Sequence, residues 1–334
     1  MPSREVPRTW DGLEIALDDP PGCAVVVRRP GPAGHPEFLL LHRNAEGADY
    51  EGDWAWTSPA GCRQPGEAVY PSALRELAEE AGITGRLPWA VDMGRRSGGG
   101  GSWAVFALDV QGDTEVELVD PEHDRFEWLS AEQAMRRVRP SFVAQAQIER
   151  VSHIGLAAPR FRPMAETDFA DVARWRTAPH VREWFHGELI DEATVAARFA
   201  PRLAGDVPTR MWVVEIGDAA VGYLQDYRVS DHPDAVKTRD MEAVGFDYLI
   251  GAPDLVGKAL GTRMVWEFCR DVLARDYPDA PRFIACPSHR NGRSRRVLAK
   301  CGFSEGLWID EPAAPGRVPD TEVVCTLDVR HWFG

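Results

Sequence analysis

The chain has no segment able to cross a bilayer: its longest apolar runs, Cys23–Val27 and Phe38–Leu41, fall far short of the roughly 18 residues a span needs. The stretch Met1–Leu13 carries no apolar h-region, so no secretory signal is expected and the reading is a cytoplasmic protein without a membrane partner. Paired cysteines are missing as well. The six present (Cys23, Cys62, Cys269, Cys286, Cys301, Cys325) are scattered with no C-x-x-C, which excludes a zinc cage or disulfide framework and suits a reducing compartment. Nor is there an excess of basic charge. With 38 Lys and Arg against 52 Asp and Glu, the net charge is −14, a poor match to a phosphate backbone, so no nucleic-acid partner is expected. Lysine is nearly absent (Lys237, Lys258 and Lys300 only), which reflects base composition rather than function. No internal repeat or sustained heptad pattern occurs.

What is present is ordinary globular composition, 44% hydrophobic and 27% charged over 334 residues, a length that suggests two domains. The seam falls at 151–162, VSHIGLAAPRFR, between a helix-like stretch (Ala131–Arg150) and a fresh start at Met164-Ala-Glu-Thr-Asp. The expected domains are therefore 1–153 and 154–334, carrying −10 and −4 of the net charge. The order of elements predicts an α/β (α+β) fold class.

In the first half, Cys23–Arg28, Phe38–Leu41, Ser102–Asp109 and Phe126–Leu129 predict strands. Gly98–Gly101 reads as a hairpin tip or, more sharply, a phosphate cradle. In the second half, helices are predicted at Asp168–Arg176, Glu192–Leu203, Gly261–Arg275 and Arg293–Lys300. Strands are predicted at Met211–Ile216, Ala220–Tyr227, Val244–Ile250, Arg282–Ala285, Phe303–Ile309 and Thr321–Val329.

The stretch 61–83, GCRQPGEAVYPSALRELAEEAGI, predicts a helix with Pro71 in its first turn, an apolar stripe of Leu74, Leu77, Ala78 and Ala81, and Gly82 as terminator. Glu76, Glu79 and Glu80 then stand at i, i+3 and i+4. Like charges at that spacing repel, and a divalent cation held by oxygen ligands, Mg²⁺ or Mn²⁺, would reverse the penalty. The alternative is a solvated acidic face supported by an Arg75–Glu79 pair. The spacing G-x5-E-x7-R-E-U-x-E-E-x-G-U is met at Gly61, Glu67, Arg75, Glu76, Leu77, Glu79, Glu80, Gly82 and Ile83.

By that box, residues 20–150 resemble the Nudix hydrolases. The resemblance implies a sandwich-like mixed-sheet domain that hydrolyses a nucleoside diphosphate-type ligand. Glu76, Glu79 and Glu80 would be metal ligands and Glu76 and Glu79 catalytic, with Arg75 bracing them and Glu67 completing the loop–helix structure. Glu122 is either an extra carboxylate or a surface residue. Trp54 and Trp56 either stack a base or belong to the core.

In the second half, Val256-Gly-Lys-Ala-Leu-Gly261 and Thr262 sit between a strand and a long helix, where backbone N–H groups can bind phosphate. A simple helix-entry turn is the alternative. Asn291-Gly-Arg-Ser-Arg-Arg follows, ending in Cys301-Gly-Phe303. With these motifs residues 160–334 resemble GNAT acetyltransferases, which implies acetyl-CoA as cosubstrate. The strand at Leu249 would line its pantetheine arm, Lys258, Ala259, Gly261 and Thr262 would hold its phosphates, and Asn291 its thioester end. Arg293, with Arg295 and Arg296, would meet the 3′-phosphate or simply solvate a helix face. Where the family has a glycine and a thiolate-protonating tyrosine, this chain has Ala259 and Leu298.

The segments 181–188, 221–227 and 245–248 are similar to aminoglycoside 6′-N-acetyltransferases. That likeness implies an amine substrate positioned by Trp184, Glu188, Asp226 and Asp247, with Asp247 as catalytic base. Asp240 and Glu242 would add negative charge. For Asp247 a strand-edge charge is the alternative. Two others of different class stay open: a siderophore hydroxylysine-type or protein acyltransferase, and a Nudix-like domain acting only as a nucleotide sensor. Pairing of exposed strands into a homodimer is compatible with this pattern.

Overall fold

The computed structural model describes residues 7–9, 12–94, 103–139, 141–155, 157–185, 189–233, 238, 240–310 and 319–334. Gly98–Gly101 and Glu188 lie outside them. Two compact units form: Met1–Gly155 with Arg330–Gly334, and Leu156–Val329. The last five residues thus group with the first unit rather than with the second half, where the sequence put them. Their apolar groups pack there, Phe333 meeting Tyr70 edge-on at 6.2 Å.

In the first unit a mixed sheet holds β1 (Gly22–Pro30), β2 (Pro36–Arg43), β3 (Trp56–Thr57), β4 (Ala60–Cys62), β5 (Trp89–Asp92), β6 (Ala104–Asp109) and β7 (His123–Ser130). β1 and β6 run parallel at its centre, Cys23 opposite Ala104. Residues Cys23–Val27 and Phe38–Leu41 are buried without alternation, as strands covered on both faces require. Helix α1 (Val69–Ala81) packs on β1 and β4. The predicted helix Ala131–Arg150 is instead two, α2 (Ala131–Arg137) and α3 (Ser141–Ser152). Pro140 follows Arg139, and the residue before a proline is driven out of the helical region. The short strands β3, β4 and β5 were not predicted, because two to four residues carry too little alternation to register.

The second unit begins with β8 (Pro159–Pro163), inside the stretch read as a seam; it is an edge strand, where proline is tolerated. Then come α4 (Phe169–Thr177), α5 (Pro179–Arg182), α6 (Glu192–Leu203), β9 (Arg210–Ile216), β10 (Ala219–Arg228) and β11 (Val244–Ile250). α7 (Leu260–Phe268) continues through a π-turn, Cys269–Leu273, into α8 (Ala274–Asp276). β12 (Arg282–Ala285), α9 (Gly292–Lys300), β13 (Ser304–Asp310), β14 (Thr321–Asp328) and α10 (Val329–Phe333) complete the chain. The sheet order is β13-β14-β12-β11-β10-β9-β8, and the class is the expected mixture of helix and sheet.

One pairing positions the site. β11 and β12 are parallel but register only at Val244–Phe283 and Gly245–Ile284. Beyond Gly245 the two strands part, so one edge of Asp247–Ile250 is unpaired with β12 and opens into a groove. No described helix is long and apolar enough to cross a membrane.

Candidate functional site

In the first unit the buried face of α1 is Ala73, Glu76, Leu77 and Glu80, at i, i+3, i+4 and i+7. Two of the three carboxylates therefore point inward, which removes the solvated-face reading for them; only Glu79 keeps half of its side chain exposed. Arg75 organises the group. Its guanidinium donates to Glu67 (Nε to Oε1 2.8 Å, Nη2 to Oε2 3.0 Å), to Glu76 Oε1 (2.7 Å) and to Glu79 Oε2 (2.9 Å). Glu80 Oε2 accepts from the Ala60 amide at 2.8 Å. Burial pushes the Glu76 carboxyl up to about 7 against the pull of Arg75, and burial raises Glu80 well above the carboxylate range.

These side chains share a cavity of about 230 Å³ with Trp54, Trp103, Asp120, Glu122 and His123. Trp56 is core, its indole donating to Glu51, whereas Trp54 is 45% exposed at the cavity. Glu122 pairs with Arg43. Sequence reasoning missed Trp103 and His123; the latter is buried with neither ring nitrogen hydrogen-bonded, and burial lowers its pKa.

Among the described residues, no three His, Cys, Asp or Glu converge tightly enough to hold a metal as the side chains stand, because Arg75 draws Glu76 and Glu79 to itself and Ala60 draws Glu80. The donor set nonetheless fits a hard divalent cation: it is all carboxylate oxygen, and two of its members are buried, where desolvation disfavours a bare negative charge. Gly61 lies against it so closely that a Cβ there would stand 2.1 Å from Glu76 Oε1.

The second unit holds two adjoining cavities. The first, about 470 Å³, is a groove between the end of β11 and α9, lined by Val256, Gly257, Ala259, Gly261, Thr262 and the α9 face of Arg293, Arg296, Val297 and Lys300. Gly261 and Thr262 start α7 as expected. Lys258 is exposed and outside this lining, and Lys300 contributes the ammonium instead. Arg295 is turned away into a bidentate pair with Glu305 at 2.8 Å. Ala259 is left-handed at φ 64°, a conformation that disfavours any residue with a Cβ. We expect Ala259→Gly to stabilise the protein by about 1 kcal/mol, read as a shift in the urea midpoint.

The second cavity, about 410 Å³, has Asp247 and Gln225 in its lining. They are cross-strand partners on β11 and β10, so their side chains share one face, and Gln225 Nε2 donates to Asp247 Oδ2 at 2.7 Å. Asp247 is reached by water from the cavity yet surrounded by protein; that desolvation raises its pKa, against Gln225 and Arg202. The two cavities share Trp184, Phe185, Tyr248, Leu249, Asn291 and Ser294. Asn291 caps α9, accepting from the Ser294 amide at 3.0 Å. Tyr248 and Ser294 share a 2.7 Å hydroxyl contact, while Leu298 is fully buried.

Asp226 is a correction. It follows Gln225 on the strand, faces the opposite side and is fully buried. There it accepts from Arg210 Nε (2.8 Å), Trp212 Nε1 (2.6 Å) and Tyr277 OH (2.6 Å). Asp226→Ala should destabilise the unit by about 3 kcal/mol, the scale for breaking a buried ion pair, measured by urea unfolding. Asp240 is likewise paired, with Arg282 at 2.9 Å, and Glu242 is exposed outside the cavity. Its acids are Asp247, Asp320 and Glu322. The last two were missed because they come from β14 and the loop before it.

A model described as NUDIX domain matches residues 19–147, and one described as acetyltransferase (GNAT) domain matches 164–310. The asymmetrical bis(5'-nucleosyl)-tetraphosphatase of Sus scrofa is 32% identical over 104 residues, 29% of this chain and 67% of that protein. Among solved structures, AAC(6')-Ib in complex with ribostamycin and coenzyme A is 24% identical, covering 52% of this chain and 96% of its own, with a TM-score of 0.46. The putative acetyltransferase yncA from Salmonella typhimurium with acetyl-CoA is 17% identical, covering 52% and 95%, with a TM-score of 0.39.

Proposed function

Because the chain belongs to the Nudix hydrolases through its first unit and carries a GNAT acetyltransferase domain in its second, we propose that it N-acetylates an amino sugar of the aminoglycoside kind, at a 6′-amine, and also hydrolyses a nucleoside diphosphate-linked compound. The observation that carries the first activity is the place of Asp247: a solvent-reached carboxylate in a cavity that adjoins the groove between β11 and α9.

Acetyl-CoA, seated in that groove, supplies a thioester acetyl group. The backbone amides at Gly261 and Thr262 open α7 toward the pyrophosphate, and Arg293, Arg296 and Lys300 face it with positive charge. Leu249 and Asn291 flank the pantetheine end. Asp247, oriented by Gln225, takes the proton from the acceptor ammonium so that nitrogen can attack the acetyl carbon. The carbon–sulfur bond then breaks, and a hydroxyl returns a proton to sulfur. Leu298 offers none, but Ser294 stands one turn earlier on the same helix face and is backed by Tyr248. Trp184, at the junction, and Glu188 would complete the acceptor site.

In the first unit, Glu76, Glu79 and Glu80 would hold Mg²⁺ or Mn²⁺, which when bound supplies a Lewis acid and an acidified water. Arg75 fixes the carboxylates in register, and Trp54 and Trp103 flank the cavity with aromatic surface for a base.

The test is thiol release from acetyl-CoA by the whole chain with a kanamycin-class aminoglycoside and with N6-hydroxylysine. Turnover with the aminoglycoside is expected. Turnover with hydroxylysine alone moves the protein to the siderophore reading, and silence with both while acetyl-CoA binds rejects small-amine acetylation of either kind.

A further inference from the structure

Asp247 does not meet Gln225 in isolation. Behind Gln225, in the last turn of α6, Arg202 donates from Nη1 to Gln225 Oε1 at 2.7 Å, and Gln225 Nε2 donates in turn to Asp247 Oδ2 at 2.7 Å. A helix and two strands thus contribute to one line of hydrogen bonds, which runs from a cation through an amide to a carboxylate.

Each link fixes the next. A primary amide offers an acceptor oxygen on one side and a donor nitrogen on the other, and alone it can turn either one to Asp247. A guanidinium only donates. The oxygen must therefore face Arg202, which leaves the nitrogen for Asp247. Donation to an ionised carboxylate is stronger than donation to a neutral carboxyl, so this orientation favours Asp247 in the form that can take a proton. An amide free to turn would offer its oxygen to a protonated Asp247 and stabilise the wrong form; Arg202 removes that option.

Arg202 is itself firmly seated. Its guanidinium lies over the Phe199 ring, 5.0 Å from the centroid, and 3.9 Å from the Met211 sulfur. Both neighbours are buried, and Phe199 stands edge-on to Tyr223 at 5.7 Å. Burial lowers the Arg202 pKa, but a guanidinium stays protonated in proteins. The remaining titratable groups around the cavity are Arg176 of α4, Arg198 of α6, Tyr223 of β10, Cys286 after β12, Asp320 before β14 and Glu322 on it. Tyr248 follows Asp247 on its own strand and is tied to Ser294. Tyr227 of β10 has its hydroxyl pKa raised by burial, with the field of Asp247 adding to it. All of these stand unchanged in the variants below, so they cancel from a comparison between them.

We propose that Arg202 is a positioning residue for acetyl transfer: it fixes the orientation of the Gln225 amide and thereby keeps a donor aimed at Asp247. The proposal rests on the reading of Asp247 as the base of an amine acetyltransferase.

The first test reads Asp247 without turnover. The whole chain is labelled with ¹³C at its aspartate carboxyls, and the Asp247 signal is assigned by its loss in Asp247→Asn. It is then titrated in wild type, Arg202→Lys, Arg202→Met, Gln225→Leu and the double variant. Arg202→Lys should titrate near wild type, because an ammonium also only donates. Arg202→Met and Gln225→Leu should each raise the midpoint by about one pH unit, the scale of losing one hydrogen bond to the charged form. The double variant should rise by less than the sum of the two, since both break the same line. Additive shifts, or an Arg202→Met midpoint equal to wild type, overturn the positioning role. Should Arg202→Met lose its cooperative urea transition, Arg202→Gln carries the same expectation, because an amide accepts as well as donates and no longer dictates which way Gln225 turns. The second test follows kcat/KM against pH with a kanamycin-class aminoglycoside and with N6-hydroxylysine. A base works only when ionised, so the acid limb should move to higher pH by the same interval as the carboxyl midpoint. Limbs that stay in place while the midpoints move overturn the role in acetyl transfer. Midpoints that move as expected with neither amine turned over sink the acetyltransferase reading and leave the hold of Arg202 on Asp247 standing.

Discussion

Asp247→Asn should lower the rate of acetyl transfer by about 10²- to 10⁴-fold, the range for losing a positioned general base, while acetyl-CoA binds with unchanged affinity. The two effects separate because Asp247 lines the proposed acceptor cavity and not the proposed coenzyme groove. Asparagine keeps the shape and a hydrogen-bond link to Gln225, so a folding defect is not expected. A pH profile adds an independent check. Desolvation raises the Asp247 carboxyl above its ordinary 3.8, with Gln225 and Arg202 opposing. A base works only when ionised, so kcat/KM should be full above that raised value and fall as the pH drops through it. The residual rate of the asparagine variant should lack this acid limb. Full turnover by Asp247→Asn would remove the assignment.

Glu79→Gln should reduce metal-dependent hydrolysis of a nucleoside diphosphate-linked compound by about 10²-fold or more, exceeding the loss seen when only a partner of a metal ligand is changed. Acetyl transfer by the same preparation should be untouched. Glu79 suits the test because half of its side chain is exposed, so its replacement removes a donor without opening the core. Chelation of the wild type should reproduce the effect and added Mg²⁺ should reverse it. Hydrolysis that survives both the substitution and chelation would exclude the carboxylate set from catalysis. Loss of both activities would mark a damaged fold instead.

The contrast between Asp226 and Gln225 shows where reading along the chain stops. Both stand on a strand whose limits the sequence predicted within a residue of β10, and the acidic one was the natural candidate for a cationic acceptor. Strand side chains alternate with period two, so choosing the wrong parity sends a residue to the wrong face. The sheet register pairs Gln225 with Asp247 and Asp226 with Phe246. That pairing puts Gln225 at the cavity and Asp226 among Arg210, Trp212 and Tyr277. The glutamates of α1 show the same limit in milder form. Their spacing was plain, but which of them face inward depended on the sheet beneath the helix.

What the sequence alone determined is whatever lies within one element or one turn. The Nudix box runs through a single loop and helix, the GNAT loop through a single strand–helix junction, and the strands through local apolar runs. Those features depend on backbone periodicity and nearest neighbours along the chain, which the residue order fixes directly. The cavity around Asp247 could only be decided in three dimensions. Arg176 and Arg202 come from two helices, Gln225 and Asp247 from two strands, and Glu322 from β14, nearly 150 residues from the first. What joins them is sheet order and the parting of β11 from β12 after Gly245. Long-range pairing of that kind, set by the packing of the whole sheet, leaves no periodic trace in the sequence.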